Sequence, residues 1–245
     1  MGLSVYAVGK AGDGALPSLQ GVLDQPAFRL EADPLCAIVS ECSLSSVRAE
    51  RKHIAATQRV LAALNAKFDL LPMTFGTVAK SEEDLRRFLS DNQAPLSSQL
   101  QRVSGAVEMG LRLSLDVPDP IAYLVERTPA LKTARDRTFR SRHKASHDEK
   151  IRLGQMFDEA YTRYRKALTA QVVAAIAGSC SETMELPVRD DKQIANLAIL
   201  APRDGLEAFE AAVGAVAAQM DDDVVFNLSG PWPPHNFVQF NADAG

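Results

Sequence analysis

The chain is short of the residues that most often carry chemistry. Its three cysteines, Cys36, Cys42 and Cys180, are odd in number and widely spaced, with no metal-type pairing. Neither a disulfide framework nor a zinc site is expected, and they read as small apolar core residues in a reducing cytoplasm. No apolar run approaches the ~20 residues of a membrane span. No basic segment or cleavage site precedes the opening apolar run at residues 3–8, so export is not expected either. Positive charge is not in excess: the formal net charge is −4, which argues against a generic nucleic-acid or anionic-membrane surface. There is no Gly-x-Ser-x-Gly, and no Gly-Lys-Ser/Thr closes the glycine-rich residues 9–14, which read as a strand-to-helix turn.

What is present is ordinary globular material, 46% hydrophobic and 24% charged over 245 residues, enough for two domains. Strands are expected at residues 3–8, 27–30 and 35–40, with a short helix at 16–23 between the first two. The turn between the second and third falls at Asp33-Pro34. Ser45 or Ser46 is a candidate cap for a helix whose stripe, Val47, Ile54, Leu61 and Phe68 with Leu64 between, faces a sheet. Arg48, Arg51, Lys52 and Arg59 lie on its wet side. Ser81 with Asp84 forms a weak capping box ahead of Leu85, Phe88 and Leu89, and Leu96, Leu100 and Val103 extend the helical region.

The clearest strand alternates Val107, Met109, Leu111, Leu113 and Leu115 with Glu108, Gly110, Arg112 and Ser114, a period of two. The order β-α-β-β-α-β fits a ferredoxin-like α+β layer. Pro118 and Pro120 mark the expected boundary, giving an N-terminal domain over residues 1–118 and a C-terminal α+β domain over 119–245. In the second, helices are expected at 121–127 and 131–139. Ser146 and Glu149 then cap a long helix with the stripe Leu153, Phe157, Ala160, Tyr161, Tyr164, Leu168, Val172 and Ile176, about 45 Å in length. Strands at 183–188, 194–201 and 224–228 surround a helix capped by Asp204 and Glu207, with Leu206, Phe209, Val213, Val216 and Met220 on its buried face. This is a modified ferredoxin-like unit.

The last strand leads into Gly230-Pro231-Trp232-Pro233-Pro234-His235-Asn236-Phe237, which holds the only tryptophan. Three prolines exclude helix and central strand, so the strand is expected to stop at Gly230 and a stiff, semi-extended segment to follow. The preferred local reading is that Trp232 plugs the core; the other is an arm that places the indole at a set position.

This segment, Leu71-Pro72-Met73-Thr74-Phe75-Gly76-Thr77-Val78 and Val107-Glu108-Met109-Gly110-Leu111-Arg112 together resemble the gas vesicle accessory proteins of the F and L type. The blocks keep family order, and residues 3–8 match the usual opening strand. Thr74 stands where a basic residue is common and His235 where tyrosine is common; a His235 in that aromatic slot is packing. The resemblance implies a non-enzymatic structural or assembly role in the gas vesicle, in the cytoplasm. Its implied partners are the small hydrophobic shell protein and other vesicle accessory proteins, with no nucleic acid and no membrane. Leu71, Pro72, Phe75, Gly76, Gly230, Pro231, Trp232, Pro233, Pro234 and Phe237 are the candidates for partner binding or domain packing, packing being preferred. No cofactor is expected. The alternative is a small-molecule-binding or enzymatic ferredoxin-like protein, for which the sequence nominates no pocket.

Three other clusters carry weaker signals. His143 and His147 share metal-type i,i+4 spacing but lack the intervening glutamate and a third ligand. Asp221-Asp222-Asp223 lacks the glycine and spaced oxygens of a calcium loop and reads as a solvated turn. Lys132, Arg135, Arg137, Arg140, Arg142 and Lys144 form a basic stretch without a stacking sheet face, read as a wet linker or a docking surface for an acidic partner.

Overall fold

A computed structural model describes residues 2–43, 46–140 and 145–239. The chain is a mixed α and β protein that divides into two compact units. One comprises Met1–Met109, Leu200–Asp204 and Gly230–Gly245; the other comprises Gly110–Ile199 and Gly205–Ser229. Three of the four cuts fall inside strands and the fourth inside a 3-10 turn, so the units are discontinuous in sequence, unlike the linear division expected at residue 118.

The first unit is built on an antiparallel sheet of β1 (Gly2–Lys10), β2 (Ala27–Ala32), β3 (Leu35–Cys42) and β4 (Leu70–Pro72), in the order β2-β3-β1-β4. The short β5 (Val78–Ala79) pairs with the start of β1. β1 is buried along nearly all its length, because it lies in the middle of the sheet. Its register against β3 shifts between Val5 and Ala7, a bulge at Tyr6.

That tyrosine explains why residues 16–23 do not form the expected helix. The Tyr6 hydroxyl lies 2.6 Å from the Ser40 hydroxyl and accepts the Val22 backbone N–H at 2.7 Å. The chain is thereby held against the sheet as a loop with one 3-10 turn, Val22–Asp24. A long-range hydrogen bond has overridden a local helical pattern.

Helix α1 (Arg51–Asn65) begins at an N-cap Glu50, so Ser46 does not cap it, and Ser45 lies outside the described residues. Its buried face is His53, Ala56, Thr57, Val60, Leu61 and Leu64. Ile54, expected on that stripe, is exposed; the seven-residue spacing drew in Val47 and Phe68, which lie off the helix. In α2 (Glu82–Asp91) the Ser81 hydroxyl accepts from the Asp84 N–H, with Leu85 and Leu89 buried. α3 (Gln93–Arg102) buries Leu96 and Leu100, and it packs on β1 and β4.

A second sheet has the order β7-β8-β6-β9, from β6 (Ala106–Leu115), β7 (Glu182–Glu185), β8 (Gln193–Pro202) and β9 (Val224–Trp232). The second unit carries α4 (Pro120–Arg127), α5 (Pro129–Arg140), α6 (His147–Ile176) and α7 (Leu206–Ala217), with α6 packed on α4, α5 and α7. Asp119 caps α4 through the Ile121 and Ala122 N–H groups. The expected capping box opens α6: the Glu149 N–H reaches the Ser146 hydroxyl at 3.2 Å, and the Ser146 N–H reaches the Glu149 carboxylate at 2.8 Å. Ala160, Tyr161, Val172 and Ile176 of the expected stripe are buried, whereas Leu153 and Phe157 are only partly covered. α7 starts from Gly205 without a side-chain cap, so Asp204 and Glu207 do not have the expected role.

Cys36 and Cys42 are buried, and burial pushes the Cys36 thiol up to about 11. Cys180 departs from the core reading: it is half-buried, its thiol on the Ile176 carbonyl at 3.4 Å.

Candidate functional site

β9 does not stop at Gly230. It continues as an extended edge strand through Pro231 to Trp232, where the missing proline donor has no neighbour to deprive. Gly230 takes φ +126° in the left-handed half of the map, and a Cβ there would lie 2.8 Å from Met109 Sδ and 2.9 Å from the Glu108 carbonyl. Only glycine permits this approach. Pro233 and Pro234 are buried, a short 3-10 turn follows at His235–Phe237, and Phe237 is 1% exposed. Trp232 is 51% exposed and so does not plug the core. The plug is Phe237. His235 is exposed and fills no buried aromatic slot.

What anchors the segment is a carboxylate. Glu108 lies in β6, 6% exposed, and accepts two hydrogen bonds from Asn236: the backbone N–H at 2.8 Å and the Nδ2 amide at 2.6 Å. Burial pushes the Glu108 carboxyl above its ordinary range, and the two Asn236 bonds pull it back down. Helix α3 adds a second clamp. Gln99 exchanges paired bonds with the Gln239 backbone at 2.8 and 2.7 Å, and Arg102 donates to the Phe237 carbonyl at 3.2 Å. Gly230 to Gln239 is thus fixed at both ends in the first unit, with the half-exposed indole between them.

The other candidate block lies in the same unit. Leu71 and Pro72 are buried in β4, and Met73 donates its N–H to the Tyr6 carbonyl at 2.8 Å. Phe75 and Gly76 form the turn that follows, closed by the Thr77 N–H and hydroxyl on the Thr74 carbonyl. Phe75 and Val78 pack partly buried on the Tyr6, Leu61 and Leu70 core. α3 connects the two blocks, packing on β4 while holding the tail. Directly before β4, Asp69 accepts from the Gly105 N–H, the Ser104 hydroxyl and Arg203 at 2.9, 2.6 and 3.1 Å.

Glu108 and Asn236 lie inside the blocks that carry the resemblance, but neither has a motif of its own. The available signal was a lone acid in a strictly alternating apolar strand, which requires a partner. Gln99, Arg102, Asp69 and Arg203 left no local signal.

The second unit disposes of the remaining clusters. Arg127 pairs with Asp221 at 3.6 Å and Asp223 at 3.3 Å and lies 3.8 Å from the Tyr123 ring centre, so the aspartate run is an ion-paired end and not a merely solvated turn. Lys132 and Arg135 meet Glu126 at 2.5 and 2.9 Å, and Arg135 also meets Asp136 at 3.0 Å, so part of the basic stretch is neutralised locally. Arg142, His143 and Lys144 lie outside the described residues, and with them the His143–His147 pair. Among the described residues no group of three or more histidine, cysteine, aspartate or glutamate side chains is placed to hold a metal, and no helix is long and apolar enough to cross a membrane.

Comparison with known proteins agrees with the resemblance of the sequence blocks. The family model described as "Gas vesicle synthesis protein GvpL/GvpF" matches residues 2–239. Gas vesicle protein F of Streptomyces sp. (strain CB03234) is 24% identical over 242 residues, covering 98% of this chain and 100% of that protein. Gas vesicle protein L1 of Halobacterium salinarum is 23% identical, covering 92% and 85%. The fold is that of the GvpF crystal structures from Anabaena sp. PCC7120 (TM-score 0.88, 22% identity, 98% of both chains) and Microcystis aeruginosa (TM-score 0.81, 23% identity, 98% and 99%).

Proposed function

The chain belongs to the gas vesicle synthesis protein GvpL/GvpF family, and from that premise we propose that it serves vesicle formation by gripping another vesicle protein through the Trp232 segment. Its role is a gas vesicle role; the finer reading is that the small hydrophobic shell protein is the partner. One observation carries this. The only tryptophan is half exposed on a segment locked down by Gly230 on one side and Asn236 and Phe237 on the other. An exposed indole held in place loses little freedom on binding and presents a large apolar face, the profile of an interface anchor. Pro233, Pro234 and Phe237 belong to the framework that holds it, and Leu71, Pro72 and Phe75 pack elsewhere in the same unit, a packing role. We read the β2-β3-β1-β4 sheet as a ferredoxin-like layer whose first helix has become the Tyr6-bound loop.

Co-precipitation with shell protein tests the proposal. Trp232→Ala is exposed enough to leave folding intact, and binding is expected to fall about tenfold or more, the weight of an aromatic hot spot. Undiminished capture by the folded variant would remove this segment from the interface.

A further inference from the structure

A cavity of about 320 Å³ in the first unit has no part in the Trp232 reading. One wall is the loop held on Tyr6: Gly21, Leu23 and Asp24. The other is α1, where Lys52, Ala56 and Arg59 recur at steps of four and three on one face. Ala56 between the two cations is small, which leaves room between them.

Three features set this cavity apart from an accidental groove. Leu23 and Asp24 take φ +59° and +55°, consecutive non-glycine residues in the left-handed region, a costly conformation that clusters at ligand sites. His53, also on the wall, is 5% exposed. Its Nδ1–H donates to the Arg48 carbonyl at 3.1 Å, which in the neutral ring makes Nε2 an acceptor, and Nε2 is buried without a partner. Arg59 makes no ion pair among the described residues, and Lys52 has only the exposed Glu50 at 3.2 Å.

The chemistry on the walls is therefore two cationic donors, Lys52 and Arg59, with two acceptors, the Asp24 carboxylate and His53 Nε2. A bare anion uses only the donors and is repelled by Asp24. A neutral polyol can bond to all four groups but leaves the charge of the two cations uncompensated. We propose that the cavity binds a small hydroxylated phosphate ester of the sugar-phosphate class. Lys52 and Arg59 hold the phosphate, Asp24 takes ligand hydroxyls, and a ligand hydroxyl or a water brought with it satisfies His53. The volume is at the lower end for small-molecule sites and suits a pentose or hexose phosphate.

Isothermal titration of the full chain with ribose 5-phosphate, inorganic phosphate and ribose tests this. Ribose 5-phosphate is expected to bind at least about tenfold more tightly than either fragment. Arg59→Ala and Asp24→Asn are each expected to weaken it about tenfold, on the scale of a charged hydrogen bond. Both residues are exposed, and asparagine tolerates the left-handed backbone, so circular dichroism is expected to be unchanged. Trp232→Ala is expected to bind ribose 5-phosphate normally, which separates this site from the shell-protein reading. Equal binding of phosphate and ester, binding unaltered in both cavity variants, or no heat at millimolar ligand would each overturn the proposal.

Discussion

Glu108 is a carboxylate at a strand position that its neighbours make dry, and its chemistry depends on Asn236. Removing Asn236 strands a buried acceptor, so Asn236→Ala is expected to cost about 1–3 kcal/mol in urea unfolding. The pH dependence has a definite sign. Burial raises the folded-state pKa of Glu108 above its unfolded value. Its contribution to stability is then fully present below the ordinary glutamate range and is lost as pH rises through the folded-state value. Asn236→Ala is expected to deepen that loss, because it removes the side-chain amide bond that favours the charged form and leaves only the backbone N–H bond. Glu108→Gln is expected to abolish it. A series of denaturation midpoints across mildly acidic pH reads all three. The sequence displayed the acid, isolated in an apolar alternation, but its partner lies 128 positions away. No local pattern supplies that pairing.

Several elements with local signals came through intact, though the caps expected for α1 and α7 did not. The Ser146–Glu149 box, the break between the helices expected at 121–127 and 131–139, and the alternation of residues 107–115 all rest on bonds or packing within a few residues. The helix expected at residues 16–23 failed for the opposite reason: Tyr6 and Ser40, far off in sequence, decide that segment. The same contact makes Gly21 a sensitive position. A Cβ there would lie 2.8 Å from Tyr6 Cζ, nearer still to its hydroxyl, and 3.0 Å from Ser40 Oγ. Gly21→Ala is expected to cost about 1–3 kcal/mol through overpacking. In a Tyr6→Phe background, which removes the nearest atom, the same change is expected to cost less. A double-mutant cycle of thermal unfolding measures the difference, and strict additivity would refute this account. β9 runs past the expected stop at Gly230 for a simpler reason. Proline bars a central strand, and whether a strand is central or edge is set by sheet order.

The division of the chain is the least legible property, because a linear string suggests linear domains. Two prolines near residue 118 gave a boundary, yet the first unit closes only with residues from the far end of the chain. A chain ending at Ser229 would lack Phe237, the Asn236 donors and the bonds to Gln99 and Arg102. Hydrogen exchange in such a truncation is expected to rise in α3 and at residues 106–109, while α6 of the other unit keeps its protection. Equal loosening in α6 would show that the tail supports the whole chain. Trp232 carries a last consequence. As the chain's one tryptophan, half in water, it gives the protein's fluorescence a single indole source with long-wavelength emission. Any molecule that covers that ring shifts the light toward the blue, so the protein carries its own unlabelled optical reporter of occupancy.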